Sequence, residues 1–247
     1  MRKVLKPEER LIVAADFKPP AGRGGDWVIK QILALAKSLN GTGVCLKVNS
    51  ALRACGYDLI DEIQFHGLQV FADLKLFDIS ETLSTDGALL HKAKPELLTT
   101  VCAAGTTAMR KLKAELPDTE VLGVTVLTSL TDTDTLAMYG CNTEEAVLRF
   151  AQVAAHAQID GLISSPKEVE VLRERFGDNF SLNTPAIRPQ WSIVDADDQN
   201  PDRVMTPAKA IQAGADRIIV GRPIVRATNP RDAVMRTLDE IASAIAQ

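Results

Sequence analysis

The sequence predicts an α/β fold, a single (β/α)8 TIM barrel spanning residues 1–247 as one domain. Three observations predict it. Short apolar runs recur about every 20 to 40 residues with amphipathic stretches between them, which is the alternation of a parallel sheet and its crossover helices. Eight such runs can be marked, the number that closes a barrel, and 247 residues is an ordinary length for one. No Gly/Ser linker, low-complexity tract or change of composition divides the chain.

In chain order the strands are expected over residues 11–15, 44–48, 70–75, 98–102, 121–127, 161–164, 180–185 and 217–221. Helical spacing marks residues 26–39, 51–65, 104–115, 144–157, 166–176 and 230–246, the last with apolar residues at 234, 238, 241 and 245. Thr143, followed by Glu145 and Ala146, and the pair Ser165-Pro166 read as helix starts. Residues 186–206 lack clear periodicity, and a loop of that length in a barrel is more often functional than idle.

Composition excludes several classes of function. Charged residues make up 24% and hydrophobic ones 46%, with a net charge of −4, so the basic face of a nucleic-acid binder is missing. The charged start MRKVLKPEER has no apolar signal core, and no run approaches the ~20 apolar residues of a membrane span. Cys45, Cys55, Cys102 and Cys141 include no Cys-x-x-Cys pair and read as small buried hydrophobes in a reducing compartment, so a cytoplasmic protein is expected.

The chemistry is concentrated where strands end. In Val70-Phe71-Ala72-Asp73-Leu74-Lys75-Leu76-Phe77-Asp78, residues 70, 72, 74 and 76 form an apolar row for the outer helices. Asp73 and Lys75 then share the opposite face, toward the barrel axis, and Asp78 falls just beyond the strand. The first strand delivers Asp16 and the second delivers Lys47. Alternating lysines and aspartates are an arrangement that a dry cavity tolerates, because each charge is paired. A simple salt bridge at the rim would also explain Asp73 with Lys75, but three strands ending in charge favour a site.

Two further strand ends suit an anion. Ile218-Ile219-Val220-Gly221-Arg222-Pro223 runs an apolar strand into a glycine, which permits close backbone approach, and an arginine, which offers a two-pronged donor. Thr184-Pro185-Ala186-Ile187-Arg188 brings a second arginine to the same corner. His66, His91 and His156 lie in or near helical stretches and read as surface or packing residues. No His/Cys/Asp cluster has metal-ligand spacing and no Gly-rich dinucleotide loop follows the first strand, so acid–base work falls to lysine and aspartate.

These residues resemble the Asp-x-Lys-x-x-Asp-Ile signature of the orotidine 5′-phosphate decarboxylase family, here Asp73 to Ile79. The other markers follow in order: Ala15-Asp16, Lys47-Val48, residues 124–129, residues 184–188, Asp198-Gln199 and residues 220–223. The resemblance implies decarboxylation of orotidine 5′-monophosphate to uridine 5′-monophosphate, with Lys75 as proton donor and Asp73 beside the substrate carboxylate. It further implies that Lys47 and Asp78 complete the charged network, and that a homodimer forms in which Asp78, Ile79 and Thr82 reach the partner's site. Asp16 would bind the ribose, Thr128 the pyrimidine, and Arg188, Gln199, Gly221 and Arg222 the phosphate end, with no metal or cofactor. The chain departs from the family pattern at Phe77 (usually His), Ser80 (usually Pro), Ala186 (usually Gly) and a longer segment over 199–203. Magnesium-dependent sister enzymes acting on keto-sugar phosphates share the signature but generally carry a Glu where Lys47 stands. A non-catalytic phosphate-ligand sensor would have little use for Lys75 between two carboxylates.

Overall fold

The computed structural model describes residues 4–193 and 205–246. Eight parallel strands close in sequence order into a barrel: β1 (Leu11–Ala14), β2 (Cys45–Val48), β3 (Gln69–Leu76), β4 (Leu97–Val101), β5 (Glu120–Val124), β6 (Gly161–Ile163), β7 (Ser181–Thr184) and β8 (Arg217–Val220). The ring shuts where β1 pairs with β8, Ile12 opposite Ile219. All eight expected strands are present, with ends that differ from the expected ones by at most three residues.

The helices that cover the ring are α1 (Gly25–Leu39), α2 (Ser50–Cys55), α3 (Asp58–Gln64), α4 (Ser80–Ala93), α5 (Thr106–Glu115), α6 (Asp132–Tyr139), α7 (Thr143–Ala157), α8 (Val169–Phe176), α9 (Pro207–Gln212), α10 (Arg222–Val225) and α11 (Pro230–Ile245). Three differences from the sequence reading have simple causes. The stretch expected as one helix over 51–65 is two, because Gly56 takes φ +90°, a conformation that ends α2. The cap of α7 is Asn142, not Thr143: its side chain accepts from the Glu145 backbone N–H at 2.9 Å. Helix α4 was not marked by periodicity, since its sequence SETLSTDGALLHKA is polar and only weakly sided. The start at Ser165-Pro166 is a capping box closed by Glu168, leading through a short 3-10 turn into α8. Among the described residues no helix is long and apolar enough to cross a membrane.

Alternation along each strand sorts side chains into two cores. Val13, Leu46, Val70, Ala72 and Leu74 point outward and pack with Ile32, Ile60 and Leu83 from the helices. Ile12, Cys45, Phe71, Leu97, Leu122 and Ile219 point inward as an apolar middle layer. Below it lies a polar layer that the sequence reading did not anticipate. Arg217 donates to both carboxylate oxygens of Glu120 at 2.9 and 2.8 Å, and to Asn183 at 3.2 Å. Above the middle layer, at the C-terminal end of the strands, the interior becomes charged.

Candidate active site

Lys47 follows Cys45 on the inner face of β2, and Asp73 follows Phe71 on that of β3. One step further along β1, past Ala14 on the inner face, stands Asp16. The three meet: the Lys47 ammonium donates to Asp16 at 3.0 and 2.9 Å and to Asp73 Oδ2 at 3.1 Å. Lys75 donates to the other oxygen of Asp73 at 2.6 Å. Four charges of alternating sign therefore form one continuous chain, Asp16–Lys47–Asp73–Lys75. Lys47 and Asp73 are buried, Lys75 is half-buried and Asp16 is the exposed end.

Burial and pairing oppose each other at the two inner groups. Burial would push the Asp73 carboxyl up, but the ammonium groups of Lys47 and Lys75 outweigh it and hold it below the usual carboxylate range. Burial would push Lys47 down, but Asp73 and then Asp16 outweigh it and hold it above the usual lysine range. Both groups stay ionised at neutral pH.

Strand β3 reaches this geometry by breaking its own regularity. Its pairing with β4 runs Ala72 to Leu98 and then Leu76 to Thr100, so four residues advance on β3 while two advance on β4. Within the bulge Lys75 takes φ +49°, an uncommon backbone for a residue with a side chain. Non-glycine residues in such conformations concentrate at functional sites. The sequence reading placed Asp73 and Lys75 together by simple alternation; they are together, but through a bulge.

The charged chain forms one wall of a cavity of about 360 Å³ at the mouth of the barrel. Val124, Val126, Ile163 and Ile219 give it an apolar side, and Thr128 stands at its rim. Arg188, Gly221 and Arg222 line the side formed by the ends of β7 and β8. A Cβ added at Gly221 would meet nothing closer than Ala14 Cβ at 3.5 Å, so protein packing does not require glycine there. Ala186 takes φ +61° on the same wall, the conformation that a glycine adopts without strain.

Among the residues expected at the site, Asp16, Lys47, Asp73, Lys75, Thr128, Arg188, Gly221 and Arg222 gather around this cavity. Asp78, Ile79 and Thr82 do not line it within the chain; Asp78 and Ile79 are exposed beside it, past the end of β3. Gln199 lies outside the described residues. Two residues were missed. Thr99, fully buried on β4, donates to Asp73 Oδ1 at 2.9 Å. Ser164, just past the end of β6, lines the cavity, and its buried hydroxyl has no partner among the described residues. Both sit in runs that read as plain apolar strand, and a short hydroxyl residue carries no signal of its own there. Among the described residues no group of three or more His, Cys, Asp or Glu side chains could hold a metal ion.

A family profile described as Orotidine 5′-phosphate decarboxylase / HUMPS family matches residues 9–237. The chain belongs to that family. Family relatives agree along nearly the whole length. A protein of Afipia carboxidovorans named Orotidine 5′-phosphate decarboxylase is 38% identical over 240 residues, covering 96% of this chain and 97% of that protein. One of the same name from Syntrophomonas wolfei subsp. wolfei is 32% identical over 250 residues, covering 96% and 99%. Among solved structures of the family, orotidine 5′-phosphate decarboxylase from Lactobacillus acidophilus superposes with a TM-score of 0.77 at 28% identity, covering 94% of this chain and 99% of that one.

Proposed function

We propose that this chain is an orotidine 5′-phosphate decarboxylase, releasing CO2 from orotidine 5′-monophosphate to give uridine 5′-monophosphate in pyrimidine biosynthesis. The observation that carries the reading is the unbroken Asp16–Lys47–Asp73–Lys75 chain facing one cavity with Arg188 and Arg222. Two arginines on one side suit a phosphate, and an apolar wall between them and Lys75 suits a flat pyrimidine.

In this mechanism the bond from ring C6 to the carboxylate breaks heterolytically. CO2 departs, the electron pair stays on C6, and the Lys75 ammonium hands that carbon a proton. The neutral amine then regains a proton from solvent. Asp73, ionised between two lysines, stands beside the substrate carboxylate; at about 4 Å the repulsion is ~4 kcal/mol at an effective dielectric of 20. That repulsion vanishes as CO2 becomes neutral, while attraction between Lys75 and the carbanion grows, so the pair favours the transition state over the ground state. The phosphate, far from the reacting carbon, supplies binding energy that holds the nucleotide against these charges.

The reading assigns no metal or cofactor. Lys47 supports this: its ammonium lies within 3.1 Å of Asp73 and Asp16, and it would repel a divalent ion placed between them. The reading also includes a cytoplasmic homodimer in which Asp78, Ile79 and Thr82 complete the partner's site. The test is incubation with orotidine 5′-monophosphate, with and without chelator, following the pyrimidine absorbance. CO2 release that survives EDTA is expected, and Lys75→Ala should abolish it while the protein still folds. Turnover that disappears with chelator would move the chain to the magnesium-dependent branch, and strong residual activity in Lys75→Ala would remove the proton donor.

A further inference from the structure

The bulge in β3 leaves backbone groups without ladder partners, and three side chains from neighbouring elements take them up. Arg53 of α2 donates to the Leu74 carbonyl at 2.7 Å. Thr100 donates to the Leu76 carbonyl at 2.9 Å. Between them the Lys75 N–H donates to the Thr99 hydroxyl, also at 2.9 Å. Thr99 differs from the other two, because the same hydroxyl gives its own proton to Asp73 Oδ1, the oxygen that receives the Lys75 ammonium.

One oxygen therefore ties the left-handed backbone of Lys75 to the carboxylate that its side chain touches. Its proton is committed to Asp73 and its lone pair to Lys75, so neither bond can be replaced by rotating the hydroxyl. Thr99 is fully buried, and its γ-methyl cannot supply either bond. We infer that Thr99 is a positioning residue for the proposed reaction, holding the Lys75 ammonium against Asp73 by bonding at once to the Lys75 backbone N–H and to the Asp73 carboxylate.

This rests on the decarboxylase reading, and the experiment separates the two. Thr99→Val keeps the shape and deletes the hydroxyl; Thr99→Ser keeps the hydroxyl and deletes the methyl. A misplacement near 1 Å costs on the order of 100-fold in rate. For Thr99→Val we expect kcat to fall about that much with KM changed only a few-fold, because the phosphate contacts are untouched. Thr99→Ser should return kcat to within several-fold of the parent. The acid limb of the kcat–pH profile should move upward in Thr99→Val, since Asp73 loses a donor that favours its ionised form. Where the valine variant does not fold, Thr99→Ala carries the same comparison with Thr99→Ser. A parent-like kcat in Thr99→Val, or a serine variant as slow as valine, overturns the inference alone. A parent chain that releases no CO2 overturns the decarboxylase reading and this inference with it.

Discussion

Glu168 shows how far one half-buried carboxyl can shift a pH dependence. It closes the capping box before α8, accepting from the Ser165 N–H at 2.8 Å. Burial, with a smaller contribution from nearby Glu144 and against the Ser165 N–H, pushes its carboxyl up to about 7. A carboxyl raised on folding weakens the fold when ionised, so stability is lost as pH rises from about 4.5, the unfolded value, toward 7. The shift amounts to on the order of 3 kcal/mol at pH 8. Glu168→Gln, which keeps the acceptor and removes the charge, should therefore be more stable than the parent at pH 8, with most of the gain gone at pH 5. Urea unfolding at the two pH values checks this, and an equal change at both would refute it. Asp73 and Lys47 act in the opposite sense. Asp73, held low, stabilises above the unfolded carboxylate range and loses that contribution as pH falls through its lowered value; Lys47, held high, loses its own only in strong alkali.

At the scale of elements, α4 and α5 make an unusually close pair. Gly87 faces α5 so tightly that a Cβ there would lie 2.8 Å from Glu115 Cβ and 3.2 Å from the Leu112 carbonyl. Ser84 donates to Glu115 and Lys111 pairs with Glu81 across the same seam. Alanine normally favours a helix over glycine, yet Gly87→Ala should destabilise this protein by about 1–3 kcal/mol, because the two helices must part. A melting temperature equal to or above the parent's would contradict that packing. The same pair marks what was legible in the sequence. Apolar periodicity revealed every strand and the strongly sided helices α1, α7 and α11, because burial of one face writes itself into spacing. It missed α4, whose inner face is carried by Leu83, Gly87 and Leu90, too few apolar residues to stand out. The charged ends of β1, β2 and β3 were legible because charge in an apolar run is conspicuous. Thr99 and the Arg217–Glu120 layer were not, since a hydroxyl is common in strands and an arginine beginning a strand looks like surface until the ring closes around it.

For the whole molecule, the proposed dimer gives Phe77 and Ile79 a reason to stand exposed at the barrel mouth, at 63% and 70% of their surface. Large apolar side chains side by side in water are an interface in waiting. Sedimentation should find a dimer that loosens on dilution, and Ile79→Asp should shift it toward monomer with loss of turnover. A parent chain that is monomeric and fully active at nanomolar concentration would exclude a shared site. Closure of the ring has a separate consequence, for the order of events during refolding. Asp16 arrives with the first strand and Arg222 just after the last, and the two are brought together only when β1 and β8 pair across some 200 intervening residues. Helical signal can return from local segments well before that seam is made. Recovery of ligand binding after dilution from denaturant is thus a clock for the final stitch of the barrel rather than for its assembly as a whole.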